Sequence, residues 1–156
     1  MKNGIHINTA KISDLSEHFD YCDEEFFQMI LNDRNINEYI EKIFTYSTLY
    51  EYWENNLLAG FAAIYENRGT EQPAYMTLLS VVQNMHGKGI ASGIMRFALE
   101  SLKTKGFTTL LLEVHKRNIA GRRLYEKFGF SIEREKTEDS FFMQLILQKN
   151  NAVITK

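Results

Sequence analysis

YMTLLSVVQNMHGKGIASGIM, residues 75–95, is the stretch on which the fold turns. It begins with an apolar run, Tyr75 to Val82, that reads as a buried strand. It ends inside a helix on which Ile90, Ile94, Ala98 and Leu102 fall on one face. Between them is a short turn carrying Gly87 and Gly89. A strand, a glycine-bearing turn and a helix leave the first N–H groups of that helix without carbonyl partners and aim them at one point. A phosphate is the natural occupant of such a place. Glycine, lacking Cβ, lets a ligand lie close against the backbone.

Outward from that stretch, the pattern predicts a single mixed α/β sheet with helices on its faces. Ile5–Ile7 reads as a strand, residues 11–20 as a helix and 23–46 as mostly helix. Thr48–Trp53 and Leu57–Tyr65 read as strands, joined by a tight Asn55-Asn56 hairpin turn, since asparagine tolerates positive φ. After a polar loop and the strand at 75–82, a helix from about Lys88 to Lys105 stops at Gly106. Thr108–His115 reads as a central strand, Ile119–Phe128 as a helix, and Phe130–Arg134 and Ser140–Leu147 as closing strands. Residues 1–150 are expected to form one domain, with 151–156 a frayed tail.

Composition narrows the function. The chain has 156 residues and a net charge of −2, without the basic excess of a nucleic-acid binder. No apolar run reaches membrane-spanning length, and the N-terminus lacks a signal-peptide core. Cys22 is the single cysteine, so no internal disulfide can form and a cytoplasmic setting is expected. Residues 1–60 hold 11 acidic and 4 basic side chains, whereas residues 61–156 hold 9 and 14. A basic second half suits an anionic cofactor, and an acidic first half suits a cationic substrate.

The glycine turn fails two phosphate patterns. A P-loop requires glycine where Val82 stands and serine or threonine where Gly89 stands. A dinucleotide fingerprint starting at Gly87 requires a glycine where Ser92 stands. The segment His86-Gly87-Lys88-Gly89-Ile90-Ala91 instead resembles the acyl-CoA-binding motif of the GCN5-related N-acetyltransferases, with His86 in place of the usual glutamine or arginine. LEVHKRNIAGRRLYEKFGF, residues 112–130, resembles that family's second motif, with Gly121 where alanine is usual. This segment also resembles the ribosomal-protein N-terminal acetyltransferases.

The resemblance implies a mixed, mostly antiparallel twisted sheet of about seven strands with helices on both faces, and transfer of acetyl from acetyl-CoA to an amine. It implies a CoA-binding core at 75–130 and an acceptor side at 1–60. Leu79 and Val81 would pair their backbones with the pantetheine arm, Val81 N–H lying near the acetyl oxygen. His86, Gly87, Lys88, Gly89, Ile90, Ala91 and Ser92 would surround the pyrophosphate, with Lys88, Lys116 and Arg117 neutralising phosphates. Asn118 would bond the pantetheine and cap its helix. Tyr125 matches the family's acid, and a phenol can donate a proton to a departing thiolate. Glu113 is the matching base, with His115 its rival. Trp53 and the tyrosines at 46, 50, 52 and 65 would line an acceptor pocket or build the core. No metal is assigned. Acceptors left open are a peptide or protein amine, a polyamine, an aminoglycoside or an amino sugar, and a homodimer is compatible with the family. A non-catalytic CoA-binding sensor or interaction module is the alternative.

Overall fold

The computed structural model describes residues 1–67 and 69–147. In chain order the elements are β1 (Gly4–Ile7), α1 (Ile12–Asp20), α2 (Glu24–Leu31), α3 (Ile36–Tyr46), β2 (Thr48–Glu54), β3 (Leu57–Tyr65), β4 (Ala74–Val81), α4 (Ile90–Lys105), β5 (Thr109–His115), α5 (Ile119–Lys127), β6 (Ser131–Thr137) and β7 (Ser140–Ile146). The strands form one sheet in the order β1-β2-β3-β4-β5-β7-β6. Every neighbouring pair is antiparallel except β4 and β5. The seven strands and their mostly antiparallel pairing match the expected fold. The tail at 151–156 lies outside the described residues.

Two apolar cores sandwich the sheet, as period-two alternation along its central strands requires. On β3, Phe61 and Ala63 join Leu15, Phe19, Ile40 and Ile43 of α1 and α3. Ala62 and Ile64 join the opposite core, with Ile94, Ala98 and Leu102 of α4 and Tyr125 of α5. Gly60 explains how closely α4 sits: a Cβ there would meet Ile90 Cγ2 and Ile94 Cδ1, each at 3.0 Å.

Local chemistry accounts for the ends. Asn55 and Asn56 adopt φ of 49° and 68°, as the hairpin reading anticipated. The helix after the glycine turn starts at Ile90 rather than Lys88, because Gly89 sits at the N-cap with φ +80°. The single helix expected over 23–46 is corrected to two. Asn32 ends α2 at φ 44°, Asp33 follows at φ 68°, and the Asn35 side chain starts α3 by accepting from Glu38 N. The polar run Asn32-Asp33-Arg34-Asn35 interrupts the apolar spacing here, a turn signal that the reading as one helix passed over.

A bulge in β4 lies where the sheet opens. Ala63 pairs with Leu78 and Ile64 with Met76, so Thr77 is the extra residue. The parallel ladder to β5 runs only through Ala74–Leu110, Tyr75–Leu111 and Met76–Leu112. Past Met76 the two strands separate.

His18 ties α1 to the sheet from inside the core. Its Nδ1–H donates to the Leu58 carbonyl at 2.7 Å, so Nε2 accepts from the Ser80 hydroxyl at 2.8 Å. Burial lowers its pKa to about 4, against the smaller opposing effect of the Leu58 carbonyl. The unfolded chain takes up this proton near pH 6.5 and the folded chain does not. His18 therefore costs no stability at neutral pH, and stability falls as pH drops from about 6.5 toward 4. Urea unfolding at pH 5 should show a loss of about 2 kcal/mol relative to pH 7 from this group. A loss absent from wild type, or one retained in full by His18→Gln, would contradict this assignment.

Candidate active site

The gap between β4 and β5 opens into a cleft of about 400 Å³ that also reaches α2, α5 and the β6–β7 turn. Val82 N donates to Ala59 O on β3 at 2.9 Å. By alternation, the backbone groups of Val81 and Leu79 face away from β3, toward the gap. The Val81 carbonyl accepts from His86 Nε2 at 2.9 Å. His86 thus closes the turn with its ring, and its own N–H donates to Gln83 O. It contributes no backbone donor to the phosphate cradle.

The six residues after His86 do. Gly93 N is the first in α4 to find a helical carbonyl, that of Gly89, at 3.0 Å. Among the described residues no backbone partner is found for the N–H groups of Gly87, Lys88, Gly89, Ile90, Ala91 and Ser92, and no side chain caps the helix. Gly87 and Gly89 both hold φ +80°, and a Cβ on either would meet nothing within 4 Å. The cradle is open, donor-rich and at the positive end of a sixteen-residue helix. Lys88 is exposed beside it. Lys116 points elsewhere, into an ion pair with Glu135 at 2.7 Å.

Asn118 Oδ1 accepts from Gly121 N at 3.0 Å and caps α5. A Cβ on Gly121 would lie 2.5 Å from Asn118 Nδ2, which explains glycine at that position. No partner for Asn118 Nδ2 is found among the described residues, and the residue lines the cleft. Tyr125, one helical stretch further on, is buried against Phe130 with ring centroids 5.7 Å apart. Burial pushes its phenol pKa upward, so the hydroxyl keeps its proton. It too lines the cleft, and no hydrogen bond of its hydroxyl is found among the described residues.

Glu113 stands on β5 opposite, held from both sides. Lys136 Nζ donates to one oxygen at 2.9 Å and Ser140 Oγ to the other at 2.7 Å. Burial alone would raise its pKa, but the Ser140 and Lys136 hydrogen bonds, with the charges of Lys136 and Arg34, lower it overall. His115, the rival base, accepts from Arg117 N through its Nδ1 at 3.1 Å. Cys22 is half-buried and hydrogen-bonded to Ser80 at 3.4 Å, and burial raises its pKa, so it remains a thiol and not a nucleophile. Tyr50 and Trp53 are core, Tyr46 is exposed, and Tyr65 lines the cleft.

The sequence model of the acetyltransferase (GNAT) family matches residues 12–130. The chain belongs to the acetyltransferase (GNAT) family. Within this GNAT domain a 64-residue stretch, 41% of the chain, is 36% identical to GCN5-related N-acetyltransferase 6, chloroplastic, of Arabidopsis thaliana, covering 22% of that protein. A stretch of the same length is 33% identical to N-alpha-acetyltransferase 30 of Schizosaccharomyces pombe, covering 43% of it. The matches thus span less than half of either relative's length. PaiA N-acetyltransferase from Thermoplasma acidophilum, solved in complex with coenzyme A, shares the fold at 20% identity with a TM-score of 0.68, covering 92% of this chain and 99% of that one.

Several residues of the candidate site were not anticipated. Lys136 and Ser140 reach Glu113 because β7 pairs with β5 in the register Glu113–Phe142 and His115–Ser140. Neither lies within a recognisable motif, and only that register reveals them. Tyr39 OH lies 3.0 Å from Thr77 Oγ1 at the bulge, and Arg34 lies over the Tyr39 ring at 4.3 Å. Arg34 and Tyr39 come from the part of the chain that carries no signature.

Proposed function

We propose that this chain transfers the acetyl group of acetyl-CoA to a primary amine by direct attack, without an acyl-enzyme. The observation that carries this reading is the continuity of three features: the open N–H cradle at Gly87–Ser92, the edge of β4 at Leu79 and Val81 that β5 does not pair, and Tyr125 in the cleft at its end. The pyrophosphate sits on the cradle, the pantetheine arm pairs with β4 as an added strand, and Asn118 Nδ2 donates to it. The thioester supplies the acetyl group; every proton is handled by the protein or by water.

Val81 N–H donates to the acetyl oxygen as negative charge develops there. The Tyr125 hydroxyl, kept protonated by burial, gives its proton to the departing thiolate. The incoming alkyl amine, with a pKa near ~10, arrives as an ammonium and must lose a proton before it attacks. Glu113 attracts that ammonium. Its carboxylate takes the ammonium's proton, directly or through one bound water, and releases it to bulk solvent, which the lowered pKa favours, while Lys136 and Ser140 hold the carboxylate in place. In this reading residues 75–130 form the CoA-binding core and residues 1–60 the acceptor side of one domain.

Intact-mass analysis tests direct transfer. After incubation with acetyl-CoA alone the protein mass should be unchanged, and free CoA should accumulate only when an amine is added. An acetylated protein competent to pass its acetyl group to the amine would overturn direct attack.

A further inference from the structure

The acidic first half of the chain suggested a cationic acceptor, yet the cleft reverses that sign. Residues 1–60 contain eleven acidic side chains, and none of them lines the cleft. Of the four basic ones, Arg34 and Lys42 do. Lys136 adds a third cation to the wall. The carboxylates there are Glu113, ion-paired with Lys136 and hydrogen-bonded by Ser140, and Asp139 on the β6–β7 turn.

Arg34 is held in position rather than left to sway. Its Nε donates to Leu31 O at 3.1 Å and one terminal nitrogen to Ile30 O at 2.6 Å, closing the end of α2. The guanidinium carbon stacks 4.3 Å from the centre of the Tyr39 ring. Arg34 shares the cleft lining with Glu113. Lys42 stands on α3, 5.8 Å from the Tyr65 ring. Among the described residues neither Arg34 nor Lys42 has a carboxylate partner. A polyamine or aminoglycoside would bring further positive charge to this wall. An oxyanion would find a fixed guanidinium with a free nitrogen and an ammonium nearby.

We propose that the acceptor is a small primary amine that also bears a carboxylate or phosphate, with Arg34 and Lys42 binding the anion while the amine faces Glu113. This assignment rests on the acetyl-transfer reading above. The cleft volume, shared with the end of the pantetheine arm, suits a molecule of amino-acid size.

The test measures CoA release with matched pairs of amines: alanine against alaninamide, phosphoethanolamine against ethanolamine, and spermidine as the polycation. Acetyl-CoA binding is followed separately by calorimetry. The anionic member of at least one pair should show kcat/KM about tenfold higher than its neutral partner, with the advantage shrinking as ionic strength rises. The pair with the larger ratio distinguishes carboxylate from phosphate. Arg34→Gln should collapse the ratio and Arg34→Lys restore part of it. Lys42→Gln, on the exposed face of α3, should lower the ratio without touching the end of α2, so a folding defect in the Arg34 variant does not decide the matter. Preference for spermidine or for the neutral partners, or a ratio unchanged in both Arg34→Gln and Lys42→Gln, would overturn the proposal. Acetyl-CoA binding with no anionic amine acetylated would also overturn it while leaving the cofactor reading intact. Absence of acetyl-CoA binding would overturn the reading beneath it.

Discussion

Replacing Tyr125 with phenylalanine is expected to lower kcat by about two to three orders of magnitude, the usual range for losing a positioned acid. Affinity for acetyl-CoA should stay within about twofold, because the proton is needed only as the thiolate departs. Stability should also change little, by less than about 0.5 kcal/mol. The ring still packs on Phe130, and no protein partner of the hydroxyl is found among the described residues. That split between kcat and affinity separates an enzyme from a module that only binds CoA. An unchanged kcat would remove Tyr125 from the chemistry. A fall in kcat matched by a fall in melting temperature would make it a packing residue.

The second large effect is at the phosphate cradle. Gly89→Asp should weaken acetyl-CoA binding about a hundredfold, since it sets a carboxylate within a few ångströms of the pyrophosphate and each such like-charge pair costs on the order of 1–3 kcal/mol. Gly89 has φ +80°, so any side chain there carries some backbone strain. Gly89→Asn is the control, because asparagine tolerates this conformation about as well as aspartate and brings no charge. If the N–H groups of Gly87–Ser92 bind phosphate, asparagine should lose at least about tenfold less affinity than aspartate. Equal losses would mean that strain in the turn, not charge at the cradle, governs binding.

Legibility in the sequence tracks how local the physics is. The turn at 86–92 could be read because strand, glycine and helix are adjacent in the chain, and the unpaired N–H groups follow from helix geometry alone. The Asn55-Asn56 hairpin was legible for the same reason. The break between α2 and α3 was missed although the polar run Asn32-Asp33-Arg34-Asn35 marks it, because the apolar residues on either side were weighed above that turn signal; the left-handed backbone at Asn32 and Asp33 reveals it. The bulge at Thr77 was also hidden: it arises from the pairing of β3 with β4, and without it β4 would continue along β5 and the cleft would close. Glu113 was found by motif position, but its restraint by Lys136 and Ser140 depends on strands β6 and β7 returning beside β5. The charge of the cleft was not legible in composition. Net charge averages over the whole chain, and the eleven acidic residues of the first sixty lie away from the cleft, Glu51 among them fully buried.

The most direct test of the central claim is calorimetric titration of the wild-type protein with acetyl-CoA, with NADH titrated in parallel. Saturable binding of one acetyl-CoA per chain, with no heat from NADH, is the result predicted by an open N–H cradle joined to a free β4 edge. No binding of acetyl-CoA, or NADH binding that competes with it, would contradict it.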